Sequence, residues 1–212
     1  TFSSSFFALS TFFSDNEDVF QNFKILRREL ADRYSMMNEN SNGIIDTATG
    51  YPFGYSATSQ DVLIAAFLAA YGGQNAKKLD ISSPFVKVPL PNWRLNYTGL
   101  TKIKGVNKVF QNLSLNHAYV SNYSVGNYAS NLNYGEDANG MPNKLDANRN
   151  FIPTYEIGQV TLTEQFSPLI GLDMTFTNSL LFKVEFKKSR NVSLSFANNQ
   201  ITEVNSHEFT FG

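Results

Sequence analysis

The sequence has no cysteine and only two histidines, which excludes several kinds of chemistry. A disulfide scaffold and a thiol nucleophile are both impossible without cysteine. His117 and His207 lie far apart in the chain, and two histidines without cysteine supply too few ligands for a typical zinc site. Hydrolase serine motifs, carboxylate pairs and glycine-rich phosphate loops are also missing. We therefore expect no cofactor, no metal site and no enzymatic activity.

The sequence also has no excess of charge of one sign, because 17 basic residues are balanced by 18 acidic ones. This balance gives no broad attraction to nucleic acid, so nucleic acid is not expected as a partner. No apolar run approaches the roughly 20 residues of a transmembrane helix, but a barrel strand needs only about 9–11 and escapes such a search. The first residues show no signal-peptide pattern, and both ends are strand-like. We expect a piece of a longer protein.

The clearest pattern that is present is an alternating run at residues 180–187, LLFKVEFK. Its even-numbered side chains are all apolar: Leu180, Phe182, Val184 and Phe186. Three of its odd-numbered side chains are charged: Lys183, Glu185 and Lys187. A period of two predicts a strand with one apolar and one wet face. Turn signals at 189–191 and 198–200 predict that short strands follow. The apolar face points inward in a soluble sandwich and outward in a membrane barrel.

The N-terminal part predicts one strand and two helices. Residues 1–13 alternate loosely and favour a strand. Ser14 and Glu17 form a capping-box pattern that opens an amphipathic helix over 15–37. After a loop at 38–57, a second helix is expected over 59–71, closed by glycine and apolar nearly all round. Such a helix is buried against protein. We assign 14–90 to a helical and loop insertion.

Strands are predicted to dominate from 91 to 212. A long alternating run covers 112–134, a polar loop covers 135–153, and four or five short strands follow from residue 155. No helix separates the last strands, so the sheet should be antiparallel, built hairpin to hairpin.

The polar loop contains a partial calcium pattern. Residues 146–150, DANRN, begin like an EF-hand loop, but Phe151 stands at the glycine position and Ile157 at the bidentate glutamate position. Residues 137–140, DANG, are equally typical of a turn. The sequence leaves calcium binding by this loop open.

Several long segments resemble one protein family. They are WRLNYTGL (93–100), NLSLNHAYVSNYSVGNY (112–128), TEQFSPLIGLDMTFTNSLL (163–181) and KKSRNVSLSFANNQITEV (187–204). They are similar to the C-terminal portion of the SprA/Sov proteins, the giant outer-membrane translocons of the Bacteroidetes type IX secretion system, which are linked to gliding motility. The resemblance covers most of the chain and is weakest over 38–90.

This resemblance implies a segment of a very large transmembrane β-barrel in the bacterial outer membrane. Folded cargo proteins bearing C-terminal signal domains would leave through it. The implied partners are this cargo, a plug protein, a barrel-type shuttle at a lateral gate, and the lipid bilayer. The family has no catalytic residues to carry over.

A wide barrel encloses water, so its inner face should be polar and its outer face apolar. On this basis Lys183, Glu185 and Lys187 are predicted to face the lumen. The predicted lipid-facing residues are Leu180, Phe182, Val184 and Phe186. Trp93 and Tyr97 are predicted in an interfacial girdle. The turns after residues 188 and 198 are placed on the periplasmic side, and 135–153 outside the cell.

The fold class expected is therefore mainly β, with antiparallel strands forming part of that barrel and two short helices inserted. The alternative is a soluble or cell-surface β-rich binding or adhesion module with its own core. Alternation alone does not separate the two, because soluble antiparallel sheets also alternate.

Overall fold

A computed structural model describes residues 1–212. The helices are α1 (Asn16–Met37) and α2 (Gln60–Tyr71). The strands are β1 (Phe2–Ser5), β2 (Trp93–Tyr97), β3 (Phe110–Ser130), β4 (Tyr155–Phe176), β5 (Leu181–Ser195) and β6 (Gln200–Phe211). Short 3₁₀ turns lie at Glu39–Ser41, Gly99–Lys102 and Val106–Lys108. The protein is mainly β with two helices, as predicted.

All six strands form one antiparallel sheet. β3, β4, β5 and β6 pair in chain order, while β1 and β2 pair with successive parts of the same edge of β3. The sheet is open, because β6 and the edge formed by β1 and β2 do not pair with each other. The antiparallel, hairpin-to-hairpin connection of the later strands is confirmed.

The strands after residue 155 are fewer and longer than predicted. Three strands replace the four or five expected, and β4 alone has 22 residues. The turn predicted at 189–191 is wrong. Arg190 lies in the middle of β5, opposite Glu164 of β4 and Asn205 of β6. Its charge is satisfied by buried carboxylates across the sheet, so this polar triplet continues the strand instead of ending it.

The predicted placement of the loops on opposite sides is also wrong. In an antiparallel meander, successive connections alternate between the two ends. The connection at 131–154 follows β3 and the turn at 196–199 follows β5, so both lie at the same end of the sheet. A hydrogen bond of 3.1 Å from the Phe196 backbone N–H to the Gly158 carbonyl links this turn to the start of β4.

Helix α1 begins one residue later than the capping-box pattern indicates. The side chain of Asp15, not that of Ser14, accepts the hydrogen bond from the Glu17 N–H. Asx residues are strong N-caps, and the acidic first turn suits the positive end of the helix dipole. Neither helix is long and apolar enough to cross a membrane.

Both helices pack on one face of the sheet. Every residue of α2 from Val62 to Tyr71 is buried, as the prediction of a helix buried against protein requires. The resulting core joins Phe23 and Leu30 of α1 to α2 and to buried side chains of β3, β4 and β5. The helices before residue 90 and the long strands after it therefore share one core.

The N-terminal segment is a strand only over Phe2–Ser5, instead of over 1–13. Residues 6–13 leave the sheet edge and cross its helix-bearing face. Phe12 packs edge-on against Phe166 of β4 at 5.0 Å between ring centroids. The Thr11 hydroxyl donates to the Tyr71 carbonyl, which ties this segment to the end of α2.

The polar loop at 135–153 is docked onto the helical layer. The Asn38 side-chain amide, at the end of α1, donates to the Pro142 carbonyl and to the Tyr55 hydroxyl. Phe151 is buried against Tyr55 and Phe53. The loop thus forms one wall of the helical layer.

Candidate functional site

The two faces of the sheet differ sharply in chemistry. Strand register places the even-numbered residues of β4 and β5 on one face, from Val160 to Met174 and from Phe182 to Leu194. We call this the apolar face. The odd-numbered residues of β5 lie on the other side, which we call the polar face. The predicted alternation therefore corresponds to two continuous surfaces.

The helices cover only half of the apolar face. This covered half lies toward the 131–154 end and contains Val160, Leu162, Val192 and Leu194, all at most 1% exposed. These side chains pack against α2 and against the segment that follows it. The covered half is an ordinary helix-on-sheet core.

The other half of the apolar face has no cover. This bare half lies toward the turn at 177–180 and consists of aliphatic and aromatic residues: Leu95, Tyr97, Leu113, Leu115, Ile170, Leu172, Met174, Phe182, Val184, Phe186, Phe209 and Phe211. Phe209 is 64% and Phe211 68% exposed. No charged side chain lies among them. A contiguous surface of this kind marks a lipid, ligand or protein interface.

An aromatic row separates the covered half from the bare half. Trp93, Tyr119 and Phe166 follow one another across β2, β3 and β4, with ring centroids 4.6 and 4.9 Å apart. Lys188 continues the row on β5, and its ammonium lies over the Phe12 and Phe13 rings at 4.7 and 4.4 Å. Amphipathic aromatic and lysine side chains are enriched at membrane interfaces.

A second aromatic pair lies at the opposite end of the bare half. Phe110 and Phe176 face each other across β3 and β4 at 4.8 Å. Along β5, the distance from Lys188 in the aromatic row to Leu180, which is hydrogen-bonded to Phe176, is about 26 Å at ~3.3 Å per residue. Strands of outer-membrane barrels tilt by about 35–45°, so this length spans about 20 Å across a bilayer, a little less than the apolar band of about 25 Å that lies between aromatic girdles.

The polar face carries hydroxyl, amide and charged groups along its length. The Lys183 ammonium lies 3.0 Å from the Glu185 carboxylate, and the Lys187 ammonium 2.9 Å from that of Glu208. Val120 and Val204 are its exposed apolar exceptions in the interior of the strands. The charged residues predicted to face the lumen thus lie together in one ion-paired ladder.

The structure places the predicted lipid-facing residues on a single surface, with one exception. Phe182, Val184 and Phe186 belong to the bare half, whereas Leu180 lies in the turn before β5. Trp93 and Tyr97 share one face of β2 but are four residues apart, about 13 Å. Trp93 therefore belongs to the aromatic row, and Tyr97 lies within the bare half.

One buried charged cluster could be found only from the structure. The Arg190 guanidinium donates from Nε to the Glu203 carboxylate at 2.9 Å and lies 3.5 Å from that of Glu164. The Tyr119 hydroxyl donates to the same Glu164 at 2.7 Å. Arg190 and Glu164 are at most 2% exposed. No local pattern predicted it, because the Ser189-Arg190-Asn191 triplet has the composition of a turn.

The possible calcium loop has the geometry of a turn. One Asp146 carboxylate oxygen accepts the backbone N–H groups of Asn148 and Asn150, both at 2.8 Å. Asp137 does the same with the N–H groups of Asn139 and Met141. No group of three or more His, Asp or Glu side chains comes together as a metal site. The turn reading of residues 137–140 is confirmed.

The fold and surfaces define a class of protein: an open antiparallel sheet with one polar face and one apolar face, half covered by helices. Comparison with models of known protein families found no match, and comparison with curated proteins found none either.

Proposed function

We propose that this chain is part of the wall of an outer-membrane protein-conducting barrel, the type IX secretion translocon, which exports folded cargo bearing C-terminal signal domains. The observation that carries the proposal is the bare half: an uncharged apolar surface that extends about 26 Å along the strands between the aromatic row and the Phe110–Phe176 pair, backed by a polar face. The secretion function itself comes from the sequence resemblance.

In this proposal the bare half contacts lipid and the polar face contacts the water-filled lumen. The reverse orientation would place Lys183, Glu185 and Lys187 in hydrocarbon, at about 2–4 kcal/mol for each lysine near the midplane. The covered half then lies beyond the bilayer, because strands of 21 and 22 residues exceed the 9–11 needed to cross it. The helices pack on the outer surface of this extension.

The open edges of the sheet also support a larger assembly. β6 and the outer edge of β1 and β2 present unpaired backbone groups, which in hydrocarbon require a partner strand. We propose that neighbouring strands of the same barrel pair there. The plug protein, the shuttle and the cargo remain the proposed partners at the openings of the barrel.

A second function is favoured by one specific observation. The covered half has its own core of 23 buried residues, as expected for a soluble or cell-surface binding module. That reading leaves the bare half without an explanation, because soluble monomers rarely expose a contiguous apolar area of this extent.

Expression of residues 1–212 without detergent separates the two readings. We expect aggregation in buffer and flotation with lipid vesicles, since the edges and the bare half are exposed. A quadruple variant of the bare half, F182S/V184T/F209S/F211S, should lose flotation. A matched variant of the polar face, T202S/S206T/E208Q/T210S, should keep it. A monomeric, cooperatively folded, soluble wild-type chain that does not float would overturn the proposal.

The transport step needs a separate measurement in cells that make the complete translocon. Reversing the lumen-facing charges with K183E/K187E should leave the amount in the outer membrane unchanged and alter the rate of cargo export, because these side chains face the path of the cargo. Unchanged export would argue against a lumen at this face, whatever the outcome in vesicles.

A further inference from the structure

A cavity of about 270 Å³ lies at the end of the helical layer, away from the bare half. Its walls come from α1, α2, the segment at 79–84 and residues of the polar loop and its flanks between 134 and 155. It uses none of the residues assigned above to the lipid or lumen surfaces. Its existence does not depend on the proposed function.

The lining combines tyrosine rings with aspartate side chains and contains no basic side chain. Four tyrosines contribute, Tyr34, Tyr55, Tyr134 and Tyr155, together with apolar side chains of α2 such as Ile64 and Leu68. Two aspartates are present, and lysine, arginine and histidine are absent from the lining. A cavity with this balance of charge favours a positively charged occupant.

The two aspartates differ in how their charges are satisfied. Asp80, at the rim, accepts hydrogen bonds from the Lys87 ammonium at 2.7 Å and the Ser82 hydroxyl at 2.6 Å. Asp61, in the first turn of α2, has no hydrogen bond and no ion pair, although it is only partly open to solvent. Water and the positive end of the helix dipole compensate part of its charge, but no cation or donor side chain accompanies it.

The walls that hold Asp61 are fixed by independent contacts. The neighbouring Gln60 side chain donates to the Tyr155 carbonyl at 2.7 Å and accepts from the Ile157 N–H at 2.9 Å. The Tyr34 hydroxyl donates to the Ile81 carbonyl at 2.9 Å, and its ring stacks on Tyr55 at 5.3 Å. The cavity is therefore formed before any ligand enters, which lowers the entropic cost of binding.

We propose that this cavity binds a primary ammonium group carried on a short apolar body, with the Asp61 carboxylate as its counter-ion. Aromatic walls suit this chemistry, because ammonium groups are attracted to tyrosine faces and an alkyl or aryl body packs on them. The ammonium has two natural sources, a free organic amine and the side chain of a lysine on another protein.

Binding should depend on pH through Asp61 alone. Burial raises the pKa of Asp61 to about 6. The hydrogen bond from Lys87 keeps the pKa of Asp80 well below its usual value, so that group stays ionised. Burial raises the pKa values of Tyr34, Tyr55 and Tyr134, so these rings stay neutral. Amine affinity should therefore increase between pH 5 and pH 7.

The test is calorimetric titration of the full chain in a maltoside detergent, which carries no competing ammonium group. The probes are phenethylamine, its neutral analogue 2-phenylethanol, and N-acetyl-lysine-N-methylamide. We expect both amines to saturate one site and 2-phenylethanol to bind at least tenfold more weakly. Tighter binding of the free amine than of the lysine derivative points to a small metabolite, and the reverse points to a protein side chain.

Asp61→Asn keeps the shape of the side chain and removes its charge. It should weaken both amines at least tenfold and leave 2-phenylethanol unchanged. The matched control is Asp32→Asn on the exposed surface of α1, which should bind like wild type. Equal binding of amines and alcohol, absence of amine binding, or unchanged affinity in a folded D61N protein would each overturn the proposal.

Discussion

Arg190 lies on the apolar face of β5, between the aromatic row and the covered half. Its guanidinium lies between two carboxylates, Glu164 and Glu203, and over the Tyr71 ring at 5.5 Å. It also donates to the Thr11 hydroxyl at 3.0 Å. This one side chain therefore connects β4, β5 and β6 with the N-terminal segment and with the end of α2.

Replacing Arg190 with methionine should lower the free energy of unfolding by about 3–5 kcal/mol, because two carboxylates would remain buried without their counter-ion. Denaturant unfolding in a maltoside detergent, which keeps the chain from aggregating, measures this change. The matched control is Lys187→Met on the polar face of the same strand, where ion pairs are exposed and each contributes at most about 1 kcal/mol. Equal losses in the two variants would contradict the role given to the buried cluster.

Asp61 should make stability depend on pH. Its folded pKa of about 6 lies above its ordinary value of 3.8, so the folded chain binds this proton more tightly than the unfolded chain does. Stability from this group is therefore highest below pH 4 and is lost as the pH rises through 6. Because the group is partly open to solvent, we expect a loss of about 2 kcal/mol.

Comparison of the free energies of unfolding of wild type and D61N at pH 4 and pH 8 measures this contribution of Asp61. The variant should be more stable than wild type at pH 8 and similar to it at pH 4, since asparagine stays neutral. The D32N variant is the control and shows how stability changes when an exposed aspartate of α1 loses its charge. A D61N variant less stable than wild type at pH 8 would mean that Asp61 has a stabilising partner in the folded chain.

Helix α2 is the element that makes half of the apolar face a core. Phe67, at its centre, is fully buried. Phe67→Ala should lower the free energy of unfolding by about 3–5 kcal/mol, as large-to-small changes of buried aromatic residues do. Ile25→Ala, on the exposed side of α1, should change it by less than about 0.5 kcal/mol. A small effect of F67A would mean that the helices are only loosely attached to the sheet.

The elements differ in how far the sequence could predict them. Helices α1 and α2 were predictable because caps, periodicity and a closing glycine are local signals. The extent of β5 was not, because Ser189-Arg190-Asn191 has the composition of a turn and continues the strand only through the Glu164 and Glu203 partners on β4 and β6. Long-range charge pairing has no local signature.

The candidate site shows the same division. The alternation at 182–187 was enough to place Phe182 and Lys183 on opposite faces. The sequence could not predict that the helices cover Val192 and Leu194 but leave Val184 and Phe186 bare. All four residues belong to the same alternating pattern of β5. The docking of loop 135–153 on α1 depends on the Asn38 amide, far away in sequence.

At the scale of the whole molecule, the apolar face has two environments and the polar face has one. The covered half is an internal core, the bare half is proposed to contact lipid, and the ion-paired polar face is proposed to contact water. This division explains how a single strand of 15 residues, β5, carries both part of a protein core and part of the proposed lipid-facing surface. It also explains why alternation alone did not separate a soluble sheet from a barrel wall.

The most direct test is electron paramagnetic resonance of spin labels along β5 in lipid bilayers. The chain has no cysteine, so single-cysteine variants from 182 to 194 need no altered background. Labels at 182, 184 and 186 should collide mainly with oxygen, and those at 183, 185 and 187 mainly with a water-soluble nickel complex. Labels at 192 and 194 should be shielded from both. Nickel access at 182, 184 and 186 equal to that at 183, 185 and 187 would contradict the lipid-facing assignment.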